Sequence, residues 1–410
     1  MKISFNKINI FLIWIFPLVA YQFFQYTGFN KNAVIFSSVL FIAVIIFYVS
    51  DYIFLKTYKN KVLKIYQLFI YWLFFCTLIS PILIWSQGIF LNFRISIEIY
   101  RYIYIFLLLK TAITEKKLVT LIDTYLIINL ILKFLFIKYS LVGVFGFEGD
   151  FGDNDVRGIL RPRFEGSEFA ALAFFLHIGK YKNKNNRIDL IFILLAFIAI
   201  LLDLARQYIF FSAILGVIMF IKSSRYKIAY ITIIGIMLYF LPDFLMKTQL
   251  PIIKDLVELS QDQFESNKND EKDIRIVETE YFLKDFNHSL SQVIIGNGLP
   301  HANSSYGKKI VKLSENDNLY SNDVGYVHIF LYSGIIGLFM YVLVYFNLLR
   351  ESVQEKYLWT KFFLVYIILT NIASQTMSTS GITISIAIYF IIAFGRTKKK
   401  QITNENIKIY

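Results

Sequence analysis

Long, unbroken apolar runs constrain this chain more than any other feature. Runs of about 17–25 residues recur from one end to the other, the length needed to cross a hydrocarbon layer ~30 Å thick. They cover 8–26, 33–54, 62–86, 95–114, 117–138, 166–182, 187–204, 206–222, 226–243, 322–349, 357–375 and 379–395. In lipid, only helices and closed barrels satisfy every backbone polar group, and these runs are too long and too uniformly apolar for barrel strands. Hydrophobic residues make up 57% of the chain and charged residues 17%. The expected fold is therefore all-α and polytopic, a single integral membrane domain over 1–410 with about twelve spans. The first run follows a short basic start (Lys2, Lys7) and lacks a small-residue cleavage site. It reads as an uncleaved helix.

Charge gives the orientation. The connections holding Lys56, Lys59, Lys61 and Lys64, then Lys116 and Lys117, then Lys180, Lys182, Lys184 and Arg187 are basic. So are those with Lys222, Arg225 and Lys227, with Arg350, Lys356 and Lys361, and the tail Arg396-Thr397-Lys398-Lys399-Lys400. Twelve spans with both termini cytoplasmic put all of them on one side, as the positive-inside rule requires. The net charge of +13 is then topogenic, and nucleic acid is not an expected partner. Membrane lipids are the expected neighbours.

Two connections fall on the opposite side. The first, 140–165, begins glycine-rich and acidic and turns basic at Arg157, Arg161 and Arg163, before Glu165. The second, 244–321, carries nine basic and twelve acidic residues. Loops of this length are commonly functional or disordered. Val277, Tyr281, Phe282, Phe286, Leu290 and Val293 recur at helical spacing within it, so short amphipathic helices are expected there, lying at the outer interface. After them come the turn Ile295-Gly296-Asn297-Gly298, the polar Pro300-His301-Ala302-Asn303, and Asp323-Val324-Gly325-Tyr326 at the return to the membrane.

Several residues could carry chemistry. Arg206 opens a span after an almost absent turn, and its planar fork suits phosphate oxygens. It could equally be a snorkelling arginine, or a partner for Asp203. Arg275, Arg157, Arg161 and Arg163 join it on the face that topogenic rules leave poor in positive charge, which favours an anionic ligand there. Asp323 and Glu165 are the carboxylates best placed to act as a base, although a helix start accounts for an acid by itself. His301 is the outer-loop histidine retained as a site candidate; His177 and His328 lie in spans. Arg94, Glu98 and Arg101 share a helical face, and such a network is either structural or lines a path. No zinc-ligand spacing, Walker loop, dinucleotide fingerprint or nucleophile elbow is present, so neither metal nor cofactor is expected. Cys76, the single cysteine, excludes a disulfide framework.

These features together resemble the O-antigen polymerase and ligase superfamily of Wzy-like polymerases and lipopolysaccharide ligases. The resemblance lies in Leu204-Ala205-Arg206-Gln207-Tyr208, in Arg275 followed by Gly296-Asn297-Gly298, and in Asp323-Val324-Gly325-Tyr326 followed by Gly334-Ile335-Ile336-Gly337. Arg163-Phe164-Glu165-Gly166-Ser167-Glu168 is similar to a short acidic motif of the polymerases. Asp323 stands where ligases tend to carry a histidine, which moves the likeness towards polymerase. The resemblance implies an inverting, metal-independent glycosyltransferase in a bacterial cytoplasmic (inner) membrane, whose site faces the periplasm or cell exterior. Its substrate would be oligosaccharide linked to undecaprenyl pyrophosphate, with a flippase and a chain-length regulator as possible partners. Arg206 and Arg275 would hold the pyrophosphate, and Asp323 or Glu165 would be the base. Arg157, Arg161, Arg163, Gly296, Gly298, His301 and Tyr326 would contact substrate. A ligase, or a flippase or transporter, is the alternative.

Overall fold

The computed structural model describes residues 5–21, 39–145, 164, 166–203, 205–221 and 274–396. These residues form helices and their connections, with no β-strand among them. Three helices are long and apolar enough to cross a membrane: Lys61–Trp85, 115–135 within Glu115–Phe145, and Gly325–Arg350. Shorter helices pack with them or with one another, among them Glu168–Lys184, Arg187–Leu202, Arg206–Ile221 and Trp359–Thr370. Asparagines set two of the sharpest boundaries. Asn60 accepts the Val62 amide at 3.0 Å. Asn185 ends Glu168–Lys184 in the left-handed region (φ 50°), and Asn186 caps the next helix through the Ile188 amide at 3.1 Å. Two residues thus reverse the chain. The expected span 226–243 and most of the loop 140–165 lie outside the described residues.

Several expected spans are interrupted. The run 95–114 is cut off from the helix Ile89–Ile95 at Ser96 and broken into Ile97–Tyr100, a 3-10 turn Arg101–Ile103, and Tyr104–Thr111. At the start of the last run, Ser380 separates Thr376–Thr379 from Gly381–Tyr389. Gly325–Arg350 kinks at Gly334, whose φ of 68° and ψ of −175° leave the helical region. Every break frees carbonyls that lipid cannot satisfy. Groups from distant segments take several of them. The Tyr66 hydroxyl donates to Tyr102 O at 2.8 Å, and the Tyr102 hydroxyl to Met377 O. Arg101 is buried and donates from Nε to Ala20 O at 3.1 Å and from Nη1 to Thr379 O at 3.4 Å, with its guanidinium over Tyr21. Arg94 by contrast is exposed. The break at Ser96 takes it out of phase with Arg101, so the two do not share the buried face that unbroken helical spacing implies.

A second buried cluster ties three helices together. His177, 1% exposed, lies between two carboxylates: Asp189 Oδ1 at 2.7 Å from Nδ1 and Asp123 Oδ1 at 2.8 Å from Nε2. Lys180 Nζ stands 3.2 Å from Asp189, and Phe192 stacks on the imidazole. Removing one member of a buried charged cluster typically costs about 3–5 kcal/mol. His177→Leu is therefore expected to lower the thermal unfolding midpoint in detergent sharply. Lys284→Ala, which breaks the exposed pair with Glu280, is expected to change it little. Equal midpoints for the two variants would contradict this assignment.

Candidate functional site

The short segment 371–375, between Trp359–Thr370 and Thr376–Thr379, gathers several candidate residues at one end of the bundle. Gln207 Nε2 donates to Ala373 O at 3.0 Å, and the Tyr208 hydroxyl lies 3.3 Å from Thr376 Oγ1. These contacts fix the first turn of Arg206–Ile221 there. Gly325 meets the same segment from the other side: a Cβ on it would collide with the carbonyls of Asn371 and Ser374. Asp323, two residues earlier, is thereby brought to the end that holds Arg206. Glu278 Oε1 accepts the Tyr320 amide at 2.9 Å, which fastens the helix of Arg275, Ile274–Glu280, just ahead of the turn Ser321–Asp323.

Each candidate has a distinct setting. Arg206 is half-buried and lines a shallow depression with Gln207, Phe210, Phe211, Ile372 and Ala373. Its walls are almost wholly apolar, so Arg206 and Gln207 line it through carbon, and a cationic residue borders a surface suited to hydrocarbon. Arg275 is exposed on its helix. Asp323 is exposed too, and it does not cap the following helix, which lacks a side-chain cap. The helix-start account of this acid is therefore not realised in a hydrogen bond. The Tyr326 hydroxyl donates to Ile368 O at 2.8 Å. His301 is half-buried, with Nδ1 accepting the Asn303 amide at 3.2 Å and its own amide donating to Gln87 Oε1 at 3.2 Å. Glu165, Arg157, Arg161 and Arg163 lie outside the described residues.

The glycine turn is built into the scaffold. Gly296 and Gly298 are buried, with φ of 79° and 74°. The Asn297 amide donates to Leu331 O at 2.7 Å and the Gly298 amide to Tyr332 O at 3.1 Å. Trp72 Nε1 donates to Ser333 O at 3.1 Å. Three consecutive carbonyls freed by the Gly334 kink are thus satisfied. The Gly296 amide closes its own helix on Gln292 O, so the backbone amides of all three turn residues are engaged within the protein. This geometry gives Gly296 and Gly298 a packing role, with no amide offered to an anion.

Ahead of this turn, the amphipathic pattern of 277–293 turns inwards. Phe282 and Phe286 form a small core with Tyr306, Leu313, Val327 and Leu331, while Leu290 is exposed. Trp85 stacks on Tyr306 and donates to Asn297 Oδ1 at 3.0 Å. Lys309 Nζ lies 4.2 Å from the Phe286 ring centroid, and burial there lowers its pKa.

Lys133 is a further charged residue near this end, outside the motifs of the sequence. It is fully buried within the apolar run 117–138, and its Nζ lies 2.6 Å from Asp203 Oδ1 and 2.7 Å from Ala199 O. The carboxylate weighed as a partner for Arg206 is thus held by Lys133. A lone lysine in an apolar run was the available signal. Among the described residues no group of His, Cys, Asp and Glu could hold a metal ion. No protein-family model matches the chain, and no curated protein matches it.

Proposed function

We propose that this chain is a membrane glycosyltransferase that joins lipid-linked oligosaccharide repeat units on the outer face of a bacterial cytoplasmic membrane. The observation that carries the reading is Arg206 at the rim of an apolar depression, at the same end of the bundle as Asp323 and the helix of Arg275. A cation beside a hydrocarbon-compatible surface suits an anionic lipid such as undecaprenyl pyrophosphate. An acceptor hydroxyl attacks the anomeric carbon of the donor glycan as the bond to pyrophosphate breaks, inverting that centre. The pyrophosphate leaves with the bonding electrons, and the arginines stabilise the charge developing on it. The hydroxyl proton passes to Asp323 or Glu165. The outer segment 274–321 closes over the bound substrate.

Three outcomes in a deletion strain separate the readings. Accumulated single lipid-linked units mark a polymerase, long polymer left on the carrier lipid marks a ligase, and loss of units from the outer leaflet marks a flippase. Asp323 has its own test. An exposed acid that caps nothing is expected to change stability by less than about 0.5 kcal/mol on Asp323→Ala. If it is the base, the same variant stops polymer formation with protein at its normal level. Full-length polymer from Asp323→Ala passes the role to Glu165. The transporter reading has one observation in its favour: helices interrupted at Ser96–Ile103, Gly334 and Ser380, as transporters have. The carbonyls freed at Leu331–Ser333 and Thr379 are taken by protein groups, which favours a closed scaffold over a substrate path.

A further inference from the structure

Arg206 leaves the preceding helix by a very short link. Arg187–Leu202 ends at Asp203, and Arg206 opens the next helix, with Leu204 and Ala205 between. Lys133 grips this corner from a third helix. Its Nζ takes the last-turn carbonyl of Ala199 at 2.7 Å and the Asp203 carboxylate at 2.6 Å. Ser167 and Glu168 stand beside the pair. On the far side of the corner, Ala205 O accepts the Tyr208 amide at 2.9 Å, and Gln207 holds Ala373 O. Arg206 is thus flanked by a fixed point on each side. Lys133 is 0% exposed and reaches no ligand itself. A buried ion pair is poor value as a stabiliser, because well-packed apolar residues serve as well.

We infer that Lys133 and Asp203 are positioning residues that set the corner from which Arg206 meets an anionic lipid headgroup. The inference rests on the donor-binding reading above. Displacing a recognition group by about 1 Å can cost as much as a hundredfold, so a slack corner is felt at the guanidinium although the pair touches no substrate.

The test uses the full chain in lipid nanodiscs, with undecaprenyl pyrophosphate as the probe and Kd as the readout. Lys133→Met alone strands the Asp203 charge and risks misfolding, so the informative variant is Lys133→Met with Asp203→Leu. It is expected to keep the wild-type melting temperature and to weaken binding about tenfold or more. Asp203→Asn keeps an oxygen for Lys133 but leaves its charge unpaired, so it is read only where the melting temperature matches wild type, and there it is expected to stay within about threefold of wild type. Adding Arg206→Ala to the double variant is expected to weaken binding no further than Arg206→Ala alone, since the pair acts through that arginine. Wild-type affinity in the folded double variant overturns the positioning role and leaves the donor reading standing. So do losses that multiply with Arg206→Ala. A wild-type protein that fails to bind the probe removes the donor reading and the positioning role with it.

Discussion

Gly334→Ala is expected to leave little folded protein to extract from membranes, whereas Gly88→Ala is expected to behave as wild type. Gly334 combines φ of 68° with ψ of −175°, a backbone region open to glycine and closed to residues with a Cβ. A Cβ there would also collide with the Ile294 carbonyl and the Gly296 amide. Backbone strain and overpacking each cost about 1–3 kcal/mol. Their sum is a large share of the 5–15 kcal/mol that holds a typical domain together. The collision also pushes the Asn297 and Gly298 amides off Leu331 and Tyr332, stranding carbonyls in the bundle. Gly296→Ala attacks the same junction from the other side, with φ of 79° and the Ser333 and Gly334 backbone in the way. Gly88 has φ of −62° and open space around it. Size-exclusion profiles and melting curves of detergent extracts compare the three. A Gly334→Ala protein that melts like wild type contradicts the junction.

Arg206→Ala is expected to reduce polymer formation by about 10²–10³-fold with protein at its normal level, the usual loss when one donor to a developing charge is removed. The half-buried side chain lies at a helix start, so folding does not depend on it to that degree. Arg206→Lys keeps the charge and loses the planar fork, and is expected to recover only part of the activity. Arg275→Ala is expected to fall in the same direction. Full activity in Arg206→Ala removes the pyrophosphate assignment, because no other described arginine stands beside that depression.

Fold class was legible because lipid leaves few options: an apolar run of sufficient length has to be helical. The breaks within the runs were not legible. What permits them is supplied from far away, as when Arg101 reaches Thr379 across 278 positions or Trp72 reaches Ser333 across 261. No local pattern announces a donor at that distance. The turn at Gly296–Gly298 was readable from its glycines, but its use was not, since the kink it serves lies in another helix. Arg206 and Asp323 were readable as chemistry-bearing types at helix starts. Their convergence depends on 371–375, an unremarkable polar stretch that both sides happen to touch. Lys133 was visible as a charge in an apolar run, but its partner Asp203 lies 70 positions on.

The most direct measurement reconstitutes the purified chain in lipid bilayers and supplies undecaprenyl-pyrophosphate-linked repeat units taken from a strain lacking the protein. Product length and released carrier lipid are then followed together. The expected result is a ladder of repeat multiples, with one undecaprenyl pyrophosphate released for each glycosidic bond formed, and no ladder from Arg206→Ala. Folded wild-type protein that leaves the units single, or carries them across the bilayer unchanged, would contradict the account.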